Sequence, residues 1–128
     1  VIDMLIGTGV DLIEVERIAQ SIERFGLRFL ERIYTPREIA YCTPKRNSAE
    51  SFAARFAAKE AGAKALGTGI NLGVTWHEIE VTRSPLGRPG LELSGRAQWV
   101  AQNLGVRTTS LALTHTAAMA IAMVVMES

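Results

Sequence analysis

Two segments hold the side chains best suited to chemistry. The first, Gly7-Thr8-Gly9-Val10-Asp11-Leu12-Ile13-Glu14, is an apolar stretch with two glycines that delivers a carboxylate, Asp11. Asp11 by itself reads equally well as a helix N-cap, a position aspartate favours. The Gly-x-Gly pair lacks the third glycine of a dinucleotide fingerprint. The second segment runs Arg55-Phe56-Ala57-Ala58-Lys59-Glu60-Ala61-Gly62-Ala63-Lys64, followed by Gly67-Thr68-Gly69. Glu60 and Lys64 stand at i and i+4 on one helix face, and Arg55 and Lys59 share an adjacent face by the same spacing. Alone, this segment reads as a solvated ladder of ion pairs worth about 0.3–0.5 kcal/mol each.

Taken together the segments point to magnesium. That ion accepts one or two protein carboxylates and fills its shell with water and substrate phosphate. Basic side chains beside it would hold the remaining phosphate charge. No Walker lysine motif is present, and no Ser-His-Asp or Cys-His nucleophile arrangement is legible.

The surrounding pattern predicts elements that could position these groups. Met4 to Val10 reads as a short buried strand entering a phosphate-sized turn, and helical period begins at Leu12. Ile18, Ile22, Phe25 and Phe29 fall on one helix face, with Gly26 able to kink or split it. Thr35-Pro36 starts another helix, with Glu38 at its third position. Ser48 would cap a helix from Ala49 to Leu66 that buries Phe52, Phe56, Ala63 and Leu66 and ends at Gly67. Trp76 to Thr82 and Leu91 to Leu93 read as strands joined by the turn Ser84 to Gly90. A helix capped by Ser94 runs through Leu104 to Gly105. Thr109 to Thr116 and Ala120 to Met126 would form a hairpin turning near Ala117-Ala118. This order predicts an α+β domain, residues 1–128, with a mainly antiparallel sheet packed with helices.

Composition narrows the partners. The chain has 128 residues, is 48% apolar and has a net charge of +1. That near-neutrality gives no global attraction to nucleic acid or membrane lipid. Cys42 is the single cysteine, which points to a reducing compartment and to an ordinary semi-buried residue. No basic leader is evident at the start, and the apolar tail from Ala117 to Met126 is far short of the ~20 residues of a membrane span. One local patch stands out. Arg17, Arg24 and Arg28, at i, i+7 and i+11, form a basic stripe beside the apolar face of the first helix.

The order and spacing of these segments resemble the holo-acyl-carrier-protein synthases, a 4′-phosphopantetheinyl transferase family. The Gly7–Ile18 stretch is similar to the family's first signature, and Arg55-Phe56-Ala57-Ala58-Lys59-Glu60 through Gly67-Thr68-Gly69-Ile70 to its second. Ile79-Glu80-Val81, Gly87-Arg88-Pro89 and Leu113-Thr114-His115-Thr116 match further, so the resemblance covers nearly the whole chain. Thr8 departs from it, standing where the family more often has an aliphatic residue.

The resemblance implies the following. Phosphopantetheine would pass from coenzyme A to a serine of apo acyl carrier protein, releasing adenosine 3′,5′-bisphosphate, in fatty acid and lipid biosynthesis in the cytoplasm. Asp11 and Glu60 would hold Mg2+ against the pyrophosphate. Glu60 would help deprotonate the serine, directly or through a metal-bound water. Lys64 would stabilise phosphate charge. Arg55, Lys64, Pro89, His115 and Thr116 would contact coenzyme A, the last two from a neighbouring subunit of a homotrimer. The Arg17, Arg24 and Arg28 stripe would dock the acidic carrier, with Phe25 or Phe29 adding an apolar contact. His77 takes no part. Two rivals remain at this level. One is a non-catalytic trimeric coenzyme A or nucleotide-binding module, and the other is a magnesium-dependent phosphatase acting on small nucleotides.

Overall fold

The computed structural model describes residues 4–128. The chain's first three residues, on which the reading of a missing leader partly rests, lie outside them. Strand β1 (Leu5–Glu14) runs into helices α1 (Val15–Phe25), α2 (Leu27–Ile33), α3 (Pro36–Cys42) and α4 (Ser48–Ala65). A single 3-10 turn, Trp76–Glu78, leads to the hairpin of β2 (Ile79–Arg83) and β3 (Pro89–Leu93). Helix α5 (Gly95–Leu104) and the hairpin of β4 (Thr108–His115) and β5 (Met119–Glu127) complete the chain. The architecture is α+β, and all strand pairing is antiparallel. The strands form two sheets, one of order β1-β5-β4 and a separate β2-β3 pair.

Helix α4 is the centre of the molecule. Phe52, Ala53, Ala54, Ala57, Ala58 and Ala61 are all buried, so the helix is covered on most sides. Its alanines let neighbours come close, strand β1 among them. A Cβ added at Gly7 or Gly9 would collide with the carbonyl oxygens of Ala65 and Ala61. These glycines form no turn. They remove the side chains that would hold β1 away from α4, a use of glycine that depends on its missing Cβ.

Strand β1 is also longer than its apolar run predicts. Gly7, Gly9, Asp11 and Ile13 continue a period-2 row toward α4, and each is paired with β5 as far as Glu14↔Met119. Asp11 is therefore a mid-strand residue and not a cap. Helix α1 starts at Val15, with Glu14 at its N-cap making no side-chain bond. Gly26, at φ 58°, splits α1 from α2. The split leaves Ile18 buried and Ile22 and Phe29 packed on the core, while Phe25 is 52% exposed.

Capping follows the sequence at one site and departs at two. Thr35 and Glu38 form the reciprocal capping box of α3. Asn47, one residue before Ser48, occupies the N-cap of α4, and Ser94 makes no side-chain cap bond to α5. The expected strand start at Trp76 is a 3-10 turn because Thr75 and Glu78 make a second capping box there. Phe56 is only partly buried, tilted against the Trp76 ring at 4.9 Å.

A buried ion pair fixes α4 against α3 and β2. Lys59, fully buried, donates to Glu38 Oε1 at 2.8 Å, to the Trp76 carbonyl at 2.9 Å and to the Ile79 carbonyl at 2.7 Å. Glu38 in turn accepts from Thr35 N and Val81 N, each at 2.8 Å. Every ammonium proton and both carboxylate oxygens have partners, which is the condition for tolerating charge in a core. Lys59 is thus part of the interior and not of a solvated ladder. Cys42 is fully buried, and burial pushes its thiol up to about 11.

Candidate active site

The inward row of β1 places Asp11 at the edge of its sheet, facing α4. Lys64, in the last turn of α4, reaches across and donates to Asp11 Oδ1 and to the Val10 carbonyl, both at 3.0 Å. Asp11 is 16% exposed and Lys64 49% exposed in this pair. Glu60 lies one turn earlier on α4. Its carboxyl is raised above the ordinary value of 4.5, first by burial and then by the Asp11 charge, with Lys64 opposing. Two carboxylates and one ammonium, from segments about fifty residues apart, therefore share one electrostatic site. Lys64 forms no ion pair with Glu60, its i,i+4 neighbour, among the described residues. The close approach of β1, licensed by Gly7 and Gly9, turns the lysine toward the strand.

Arg55 belongs to a different side of α4. It precedes Lys64 by nine positions, about half a turn around the helix at ~100° per residue. It is 97% buried, at 3% exposure, and donates to the Ser51 carbonyl at 3.3 Å. Its guanidinium lies 4.3 Å from the centre of the Tyr41 ring. Lys45 and Arg83 approach the same ring at 4.4 and 5.6 Å. Tyr41, Arg55 and Arg83 open on a hollow of about 180 Å³ lined also by Arg37 and Thr82. The sequence reading found Arg55 but missed Tyr41, Lys45 and Arg83, which α3, a loop and β2 bring to it.

Of the remaining candidates, His115 is set apart from Asp11 within one chain. His115 ends β4, aligned through Ala120 with Ile13, so the full width of the sheet separates it from β1. Its Nδ1 contacts Glu50 Oε1 at 2.9 Å in the first turn of α4. Thr116 Oγ1 accepts from Ala118 N at 3.2 Å and Met119 N at 3.1 Å, closing the hairpin. Pro89 is the first residue of β3, opposite Arg83, and not part of the turn. It borders a hollow of about 330 Å³ with Arg88, Thr109 and Ser110. His77 Nε2 contacts the Glu31 carbonyl at 2.6 Å, a structural contact beside an apolar hollow of about 520 Å³.

The basic stripe survives the helix break. Arg17 and Arg24 line one hollow with Phe25, and Arg28 and Arg32 line the next, sharing Phe25 and Ser21. Among the described residues none of these four arginines is paired with an acid. Arg32 extends the stripe beyond the residues the spacing singled out.

Both fold and sequence have close counterparts. A sequence profile for the 4′-phosphopantetheinyl transferase superfamily matches residues 7–122. In backbone trace the chain resembles holo-acyl-carrier-protein synthase from Neisseria meningitidis, with a TM-score of 0.87 and 35% identity over 98% of this chain and 100% of that one. It also resembles the Helicobacter pylori synthase in complex with coenzyme A, with a TM-score of 0.82 and 34% identity over 93% and 98%. The Koribacter versatilis holo-acyl-carrier-protein synthase is 59% identical over 124 residues, covering 97% of this chain and 99% of that protein. The chain therefore belongs to the holo-acyl-carrier-protein synthase family of 4′-phosphopantetheinyl transferases.

Proposed function

We propose that this enzyme transfers 4′-phosphopantetheine from coenzyme A to a serine hydroxyl of apo acyl carrier protein, with magnesium at Asp11 and Glu60 and adenosine 3′,5′-bisphosphate as the leaving product. The observation that carries the reading is the meeting of Asp11, Glu60 and Lys64 at one edge of the sheet. The names of the relatives supply the reaction class and the carrier, and the Helicobacter pylori complex supplies coenzyme A.

The donor set fits magnesium. Two carboxylates stand close enough for one to raise the other, and among the described residues no third His, Cys, Asp or Glu completes a group of three. An ion that accepts two carboxylates and keeps open positions for water and phosphate suits such a pair. When bound, magnesium would neutralise charge on the pyrophosphate. The chain's own groups do the rest. Asp11 is held by a β-strand and Glu60 by the central helix, so both are rigidly placed. Glu60 would help take up the serine proton, directly or through a water. Lys64 neutralises charge on the reacting phosphoryl group and on the departing bisphosphate. The serine oxygen attacks the β-phosphorus as the bisphosphate leaves, and no protein nucleophile is needed.

Arg55, with the cations around Tyr41, would meet the nucleotide end of coenzyme A. Pro89 would line the same cleft, and His115 and Thr116 would meet coenzyme A from a second copy, because the width of the sheet separates His115 from β1 within one chain. The homotrimer is proposed from the family resemblance, and the outer face of the sheet supports a subunit contact. Val10 and Leu12 pair across the strands with Met123 and Ile121, and the four are 59, 56, 50 and 39% exposed. Such a contiguous apolar face is a usual mark of a subunit contact. Arg17, Arg24 and Arg28 would dock an acidic carrier. A cytoplasmic setting is proposed from the resemblance to the family; among the described residues no helix is long and apolar enough to cross a membrane.

The test is a mass measurement. Purified enzyme with magnesium, coenzyme A and apo carrier should add the phosphopantetheine mass to the carrier. No added mass from folded enzyme, with several carriers tried, would reject the reading. Hydrolysis of coenzyme A without a carrier would favour the phosphatase instead.

A further inference from the structure

Lys64 has two partners, both on β1. Its ammonium donates to Asp11 Oδ1 and to the Val10 carbonyl, both at 3.0 Å. It therefore stands beside a carboxylate that a metal would also need. The side chain is 49% exposed and has two acceptors, unlike Lys59 on the same helix, which is fully buried with three. Asp11 is mid-strand and backed by α4, so the carboxylate stays and the lysine is the part that can leave. Asp11 and Glu60 would hold a divalent cation, whose charge would repel the Lys64 ammonium that donates to Asp11 Oδ1.

We infer that Lys64 is the resident counter-ion of the metal-free site, and that it is handed from Asp11 and the Val10 carbonyl to the substrate's diphosphate when a divalent cation enters. This rests on the magnesium reading above. The consequence is coupling. The cation must first displace the lysine, so it binds weakly alone. A diphosphate gives the displaced ammonium a new partner, so cation and diphosphate strengthen each other reciprocally. The arrangement favours loading metal and substrate together and disfavours an empty, metal-loaded enzyme.

The experiment uses the full chain with magnesium chloride alone, then with inorganic pyrophosphate present, followed by calorimetry and by the carbonyl 13C resonance of Val10. In the native protein magnesium should shift the Val10 carbonyl along the same isotherm as binding, because that oxygen loses its donor. Lys64→Met should bind magnesium alone about tenfold tighter, the size of one charge-assisted hydrogen bond removed from competition. Its Val10 resonance should already lie at the released position, and pyrophosphate should tighten magnesium binding much less than in the native protein. The carbonyl readout separates displacement from simple loss of a nearby charge. Magnesium binding that leaves the Val10 resonance unmoved, or unchanged coupling in Lys64→Met, would overturn the handover while leaving the metal site intact. No magnesium binding by either protein, with or without pyrophosphate, would overturn the metal reading and the handover together.

Discussion

Helix α4 carries two lysines five positions apart that the fold uses in opposite ways. Lys59 is fully buried, and Glu38 and two backbone carbonyls accept all three of its protons. Lys64 is half exposed, with two acceptors, beside Glu60, whose carboxyl is raised above its ordinary value. The buried pair is saturated and has one arrangement. The edge site has spare positive and negative valence, and it can exchange partners. Saturation makes structure, and unmet charge at a rigid edge makes a binding site.

The largest effect expected from this contrast is on activity. Asp11→Asn and Glu60→Gln should each lower transfer to the carrier by at least about a hundredfold, the scale of losing a principal electrostatic group. Circular dichroism should show the fold intact. Retained transfer in either variant would remove that residue from the site.

Lys59→Met should act on stability, costing about 3–5 kcal/mol in urea unfolding by leaving the Glu38 carboxylate buried and unpaired. Pairing it with Glu38→Gln should recover much of the loss. A small cost for the single variant would show that the pair is not the clamp described above.

Glu60 gives a pH signature of opposite sign. Its folded pKa is raised, so between the ordinary and the raised value the folded protein holds more protons than the unfolded one. Metal-free stability then falls as pH rises through that window and stays lowered above it. Glu60→Gln should melt higher than the native protein at neutral pH in chelator, and the two should converge at acid pH. Equal melting at neutral pH would mean that the edge site holds no unmet charge. The smallest effect belongs to the docking stripe. Arg17→Glu or Arg24→Glu should raise the carrier KM, more at low salt, without changing stability.

Much of this was legible in the sequence, and the failures have physical causes. The two segments, the α+β class, the Gly26 break and the Thr35 cap all follow from local pattern. The end of β1 did not, because Val10 and Leu12 face outward while Asp11 faces α4, an alternation only the β5 partner reveals. The Gly7 and Gly9 pair looked like a phosphate turn because close backbone packing leaves no local sign. Lys59 resembled a solvated helix cation, since its partner Glu38 lies on another helix. Arg55 was found, but its companions Tyr41, Lys45 and Arg83 are long-range neighbours invisible to spacing.

The central claim is that Asp11 and Glu60 share one cation. Magnesium titration with both side-chain carboxyl 13C resonances observed tests it most directly. The account predicts that both move together along a single isotherm, with a chelator reversing both. Two isotherms at different concentrations, or movement of only one carboxyl, would contradict it.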